Sequence, residues 1–126
     1  MMTQEQFTND AVELLKKLIA TPSVSRNEKD AADIMEQTIR SYGFEPQRDA
    51  NNIWVIDPHF DESKPTLLLN AHIDTVKPVD SWQRHPYAPT IEDDLLYGLG
   101  SKSFLEDNSS SFSNKSCKMS GAYDCR

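Results

Sequence analysis

Apolar residues recur at helical spacing near the start of the chain, where Phe7, Ala11, Leu14, Leu15 and Leu18 fall on one face. Thr3 followed by Gln6 has the form of a capping box, so a first helix is predicted from there to about Ala20, with Pro22 stopping it. Ala31, Met35, Ile39 and Tyr42 repeat the pattern behind a second capping box, Ser25 with Glu28. Gly43 suits the left-handed residue that closes a helix.

Beyond Gly43 the helical period is lost. Residues 44–48 and 53–56 read as strands joined by a turn at Asn51 and Asn52, both tolerant of positive φ. Residues 58–65 are a charged loop. The run Leu67-Leu68-Leu69-Asn70-Ala71-His72-Ile73-Asp74-Thr75-Val76, opened by Pro65, reads as the central strand of a parallel sheet covered on both faces. Residues 77–89 hold three prolines and Trp82 and are predicted to form an ordered loop across the strand ends. Residues 91–97 follow as a hairpin turning at Glu92, Asp93 and Asp94. The predicted class is α/β, in the order helix, helix, strand, strand, buried strand, hairpin.

Composition divides this picture in two. Residues 1–101 carry 17 acids and 9 bases, whereas residues 102–126 carry 3 acids and 4 bases and hold 7 serines against 6 in all that precedes. Residues 1–101 are therefore expected to form the folded part. Residues 102–126, with Ser109-Ser110-Ser111-Phe112-Ser113, are expected to be a divergent, disordered tail, either a flexible extension of the fold or a segment that does not belong to it. An acidic body argues against nucleic acid and anionic membrane as partners and leaves small molecules. No stretch approaches the ~20 apolar residues of a membrane span and no basic, then apolar leader opens the chain, so the expected location is cytoplasmic. Cys117 and Cys125 both lie in the tail, at a poor spacing for a closed zinc site.

The chemistry-bearing residues sit at the end of the buried run. Residues two apart on a strand point the same way, so His72 and Asp74 are placed to act together where α/β sheets bind ligands. Asp74 would fix the tautomer of His72 or raise its basicity, as carboxylates do for metal-binding histidines. A catalytic zinc needs about three protein ligands and an open position, and this run offers one. Elsewhere, His59 reads as solvated and His85 as a surface residue over the strand ends, while Trp82 and Tyr87 pin their loop. Gly98-Leu99-Gly100 fails as a dinucleotide loop because Ser103 stands at the third glycine.

Several segments together resemble one family: Pro22-Ser23-Val24-Ser25, Gly43-Phe44, Asn51-Asn52, the His72-Ile73-Asp74-Thr75-Val76 motif, Trp82-Gln83-Arg84-His85-Pro86-Tyr87 and Tyr97-Gly98-Leu99-Gly100-Ser101. They are similar in order and spacing to the zinc-dependent aminoacylase, acetylornithine deacetylase and succinyl-diaminopimelate desuccinylase family, and look nearest to its acetylornithine branch. The resemblance covers residues 5–101. It implies a three-layer zinc-exopeptidase-like sheet with flanking helices, present as its N-terminal part, and hydrolysis of N-acyl amino acids in amino-acid (arginine) biosynthesis. It further implies His72 as a ligand to one of two zinc ions and Asp74 as catalytic. The carboxylate that bridges the metals in the family is replaced by Ser103, and the later ligands, the general base and the dimerisation domain do not appear. At most one partial zinc site is expected, in a chain inactive by itself. The competing expectation is a non-catalytic truncated or frame-shifted product, or a small binding module.

Overall fold

The structure is a computed structural model and describes residues 2–99. The expected boundary at residue 101, the segment 102–126 and Ser103 lie outside the described residues.

Helix α1 (Gln4–Ile19) opens on the expected capping box, in which the Thr3 amide donates to Gln6 Oε1 at 2.7 Å and the Gln6 amide donates to Thr3 Oγ1 at 3.2 Å. Two orphan amide donors of the first turn are thereby satisfied. Ile19 is buried at its far end, whereas Phe7 and Leu15 are exposed. Helix α2 (Lys29–Ser41) starts later than its cap motif implies. Glu28 stands at the cap position without a side-chain cap bond, because its Oε1 turns back to accept from the Arg26 amide at 2.5 Å. Arg26 takes φ 74°, which interrupts any helix running from Ser25. The Ser25–Glu28 capping box is therefore not formed. Ala31 and Ala32 are buried, small enough to let neighbours approach the helix backbone, and Gly43 closes the helix at φ 84° as expected. Between the helices, Phe7 stacks on Tyr42 at 6.3 Å and the Tyr42 hydroxyl donates to Asp10 Oδ2 at 2.9 Å.

Strands β1 (Gln47–Asp49) and β2 (Asn52–Trp54) form an antiparallel hairpin with Arg48 opposite Ile53. Ala50, not the asparagine pair, takes the positive φ of 52°. Asn52 pairs with Asp49 in the ladder, and Asn51 donates its side-chain amide to Glu28 Oε2 at 3.0 Å. Arg48 docks the hairpin on α2: its Nη1 lies 2.6 Å from Asp33 Oδ1 and 2.9 Å from Glu36 Oε2, while its Nε donates to the Ala50 carbonyl at 2.7 Å. Hydrogen bonds from Lys29 and Arg48 hold the Asp33 carboxyl below its usual range, and those from Arg48 and Arg40 do the same for Glu36.

The leucine-rich run departs most from expectation. Residues 67–74 belong to no strand, and the run meets residues 23–25 through a parallel bridge, Val24 to Thr75, with the Thr75 amide donating to the Ser23 carbonyl at 2.8 Å. Leu67, Leu68 and Leu69 are 73–74% exposed. A parallel strand is satisfied by the strands beside it, and among the described residues no other segment runs there. The architecture is thus α/β in content, two helices with two short antiparallel hairpins, without the three-layer arrangement among the described residues.

The second hairpin, β3 (Thr90–Glu92) and β4 (Leu95–Tyr97), turns at Asp93 and Asp94 with φ of 50° and 62°, the signature of a type I′ turn. Arg84 forks onto Glu92 with two contacts of 2.7 Å and lies 3.9 Å above the Tyr97 ring. Gly98 then lies against Ile19 so closely that a Cβ would sit 2.3 Å from Ile19 Cγ2. No helix among the described residues is long and apolar enough to cross a membrane.

Two outcomes follow for stability. Gly98→Ala should destabilise the chain by about 1–3 kcal/mol in chemical denaturation, since the β-branched, buried Ile19 has little room to yield. The Asp33 and Glu36 carboxyls are depressed in the fold, so their contribution is fully present above their unfolded values of 3.8 and 4.5 and is lost as pH falls through the folded ones. Arg48→Gln should accordingly lower the melting temperature at neutral pH and flatten its fall between about pH 5 and pH 3, measured by circular dichroism.

Candidate functional site

The parallel bridge sets Val24 beside Thr75. Ser23 is 2% exposed and its carbonyl takes the Thr75 amide, so residues 23–25 and 73–75 are held in fixed register. The His72 and Asp74 side chains meet as their spacing implies. His72 Nδ1 lies 2.9 Å from Asp74 Oδ1 and 3.0 Å from the Asp74 carbonyl oxygen. Both neighbours are acceptors, so Nδ1 carries the hydrogen. In the neutral ring the lone pair is then on Nε2, and the side chain is 83% exposed.

The second oxygen of Asp74 accepts a hydrogen bond from the Ser25 hydroxyl. That bond is the main reason the Asp74 carboxyl lies below the usual aspartate value of 3.8; partial burial pushes the other way, and His72 adds to the lowering. The carboxylate is therefore ionised at neutral pH, between a hydroxyl donor and an imidazole donor. The spacing of Ser25 and Glu28 implies a helix cap, but the Ser25 hydroxyl is instead bonded to Asp74 and caps no helix. The available signal was its position in Pro22-Ser23-Val24-Ser25, where a proline breaks the helix before the serines.

The remaining candidates lie apart from this cluster. His59 sits in the exposed loop, where its amide donates to Asp57 Oδ1 at 2.7 Å. His85 uses Nδ1 to accept from the Tyr87 amide at 3.2 Å and contacts the Tyr87 ring edge-on, which makes it a loop-stabilising residue. The expected role of Tyr87 as a pin is matched by this contact, and Arg84, not singled out in the sequence, is the stronger anchor. Among the described residues no three His, Cys, Asp or Glu side chains gather as a metal site. The donor set fits one oriented ligand, not a complete zinc site, and no hydrolytic step follows from it alone.

No family model matches the sequence. Over 100 residues the chain is 36% identical to the succinyl-diaminopimelate desuccinylase of Blochmanniella floridana, covering 74% of this chain and 26% of that protein. Over 98 residues it is 31% identical to the succinyl-diaminopimelate desuccinylase of Coxiella burnetii (strain RSA 493 / Nine Mile phase I), covering 73% and 25% respectively. The chain spans about a quarter of the length of the curated relatives it matches. These relatives support the aminoacylase and desuccinylase family expected from the motifs, and they do not single out its acetylornithine branch.

One side chain in this cluster remains unsatisfied. Thr75 Oγ1 is buried with no hydrogen-bond partner among the described residues. An unmade bond of that kind costs about 1–3 kcal/mol, so Thr75→Val should leave stability unchanged or raise it by about 1 kcal/mol in urea denaturation. A clear loss would show that the hydroxyl has a partner.

Proposed function

We propose that this chain carries the histidine corner of a metal-dependent amidohydrolase of N-acyl amino acids, with His72 as a zinc ligand and Asp74 as the carboxylate that orients it. The observation that carries this reading is the placement of His72 Nδ1 on Asp74, which turns Nε2 outward. A metal-ligating imidazole is generally anchored in this way through its other nitrogen. Zinc in such enzymes lowers the pKa of bound water and polarises the scissile carbonyl.

One ligand does not hold a catalytic metal, so on this reading the other ligands and the general base come from outside residues 2–99. Asp74, ionised and doubly hydrogen-bonded, keeps the imidazole in one tautomer. The names of the relatives favour a succinylated diamino acid as substrate. The loop and helix pattern keeps acetylornithine as the second candidate.

Zinc titration of the purified chain by calorimetry, with parallel assays on N-succinyl-diaminopimelate and N-acetylornithine, tests both halves of the proposal. Weak zinc binding that His72→Ala abolishes, without turnover of either substrate, is the expected result. Equal binding by His72→Ala would remove His72 as a ligand. Turnover at the roughly 1–1,000 per second of ordinary enzymes would show that the chain completes its own site.

A further inference from the structure

We propose that Ser25 is a positioning residue for His72, acting through Asp74. An aspartate carboxylate turns easily about its last side-chain bond, where the torsional preference is broad. A single contact between Oδ1 and the imidazole therefore does not hold its plane. The Ser25 hydroxyl, donating to Oδ2, supplies the second anchor. With both oxygens engaged, Oδ1 keeps facing His72 Nδ1 and the ring keeps Nε2 outward.

The backbone around Ser25 is shaped for that contact. Residues 24–27 form a turn closed by the Asn27 amide on the Val24 carbonyl at 2.8 Å. Its third residue, Arg26, has φ 74°, a conformation that usually requires glycine or asparagine. Arg26 is held there by Glu28 Oε1 on its amide, and the other Glu28 oxygen accepts from Asn51 in the β1–β2 turn. Thr75 and Ser23 fix the two segments side by side. A hydrogen-bonded path thus runs from the first hairpin through Glu28 and the strained turn to Ser25, Asp74 and His72. Strain of this kind tends to persist where a side chain must be aimed.

Burial does not explain the contact. Ser25 is exposed and water would satisfy its hydroxyl equally well, in contrast to the buried Ser23. What the bond adds is direction, at a carboxylate that already serves an imidazole. The inference rests on the proposed function for the identity of what His72 then holds, but the orienting role itself is read from the protein alone.

Long-range proton–nitrogen spectra of the full chain, labelled with 15N-histidine and recorded at about pH 8 where imidazoles are neutral, report the tautomer of His72 directly. The unsubstituted chain should show the Nδ1–H form. Ser25→Ala should lower that population by about twofold or more, leave the His59 and His85 signals in place, and weaken zinc binding about tenfold. Ser25→Thr, which keeps the hydroxyl, should restore both. If Ser25→Ala fails to fold, Ser25→Cys, similar in size but a weak donor, should show the same tautomer loss. An unchanged His72 tautomer in a folded Ser25→Ala or Ser25→Cys chain would overturn the inference, as would an Nε2–H form in the unsubstituted chain. Absence of zinc binding with the tautomer response intact would instead count against the proposed function and leave the role of Ser25 standing.

Discussion

One backbone hydrogen bond, from the Thr75 amide to the Ser23 carbonyl, joins the helical segment to the run that bears His72. Its net worth is only about 0.5–1.5 kcal/mol, so its importance lies in register and not in strength. A slip of one residue in either segment would turn alternate side chains to the opposite side and separate Ser25 from Asp74. Pro22 ends the preceding helical path, the turn at Arg26 redirects the chain, and the Gly98–Ile19 contact holds the last hairpin against the end of α1. The bridge is thus set between features that leave it little freedom to shift.

Apolar burial among the described residues is slight, and polar links do much of the joining. Ile19, Ala31, Ala32 and Leu99 are the buried hydrophobic side chains, while Leu67, Leu68, Leu69 and Val76 remain largely exposed. Exposed ion pairs typically contribute about 0–1 kcal/mol each, so Lys29–Asp33 and Lys64–Asp61 decide little. Arg48 is different because it is half-buried and bonds two carboxylates of α2 and its own hairpin turn at once. Arg84 unites the loop, Glu92 and the Tyr97 ring in a similar way. Each guanidinium has several donors in fixed directions, which suits it to joining elements that share no large apolar face.

The exposed leucines and the incomplete donor set fit a common account. A parallel strand acquires both its hydrogen bonds and its cover from neighbours, and a metal site draws ligands from several elements. The chain spans about a quarter of the relatives it resembles, and within residues 2–99 neither the neighbouring strands nor the further ligands are found. The imidazole and its carboxylate nevertheless meet, because they are two residues apart along the chain and their second anchor, Ser25, also lies within the described residues.

What was legible in the sequence was the local part. The Thr3–Gln6 cap, the break at Pro22, the left-handed Gly43, the acidic hairpin turn and the pairing of His72 with Asp74 each depend on neighbours a few residues away, and the structure reproduces them. Where local signals competed, the sequence misled: Ser25 and Glu28 have capping-box spacing, yet Asp74 and Asn51 offer them partners from distant segments. The same holds for Ala50, which takes the turn conformation while Asn51 is drawn to Glu28. The leucine run could be read as a strand from its composition, but pairing is a property of two segments and its partners are not encoded within it. Sequence by itself determined that an imidazole and a carboxylate two residues apart, His72 and Asp74, would meet. Only the tertiary structure decided that a serine from the turn between the two helices stands behind them, because a hydroxyl's partner is chosen by distance in space and not along the chain.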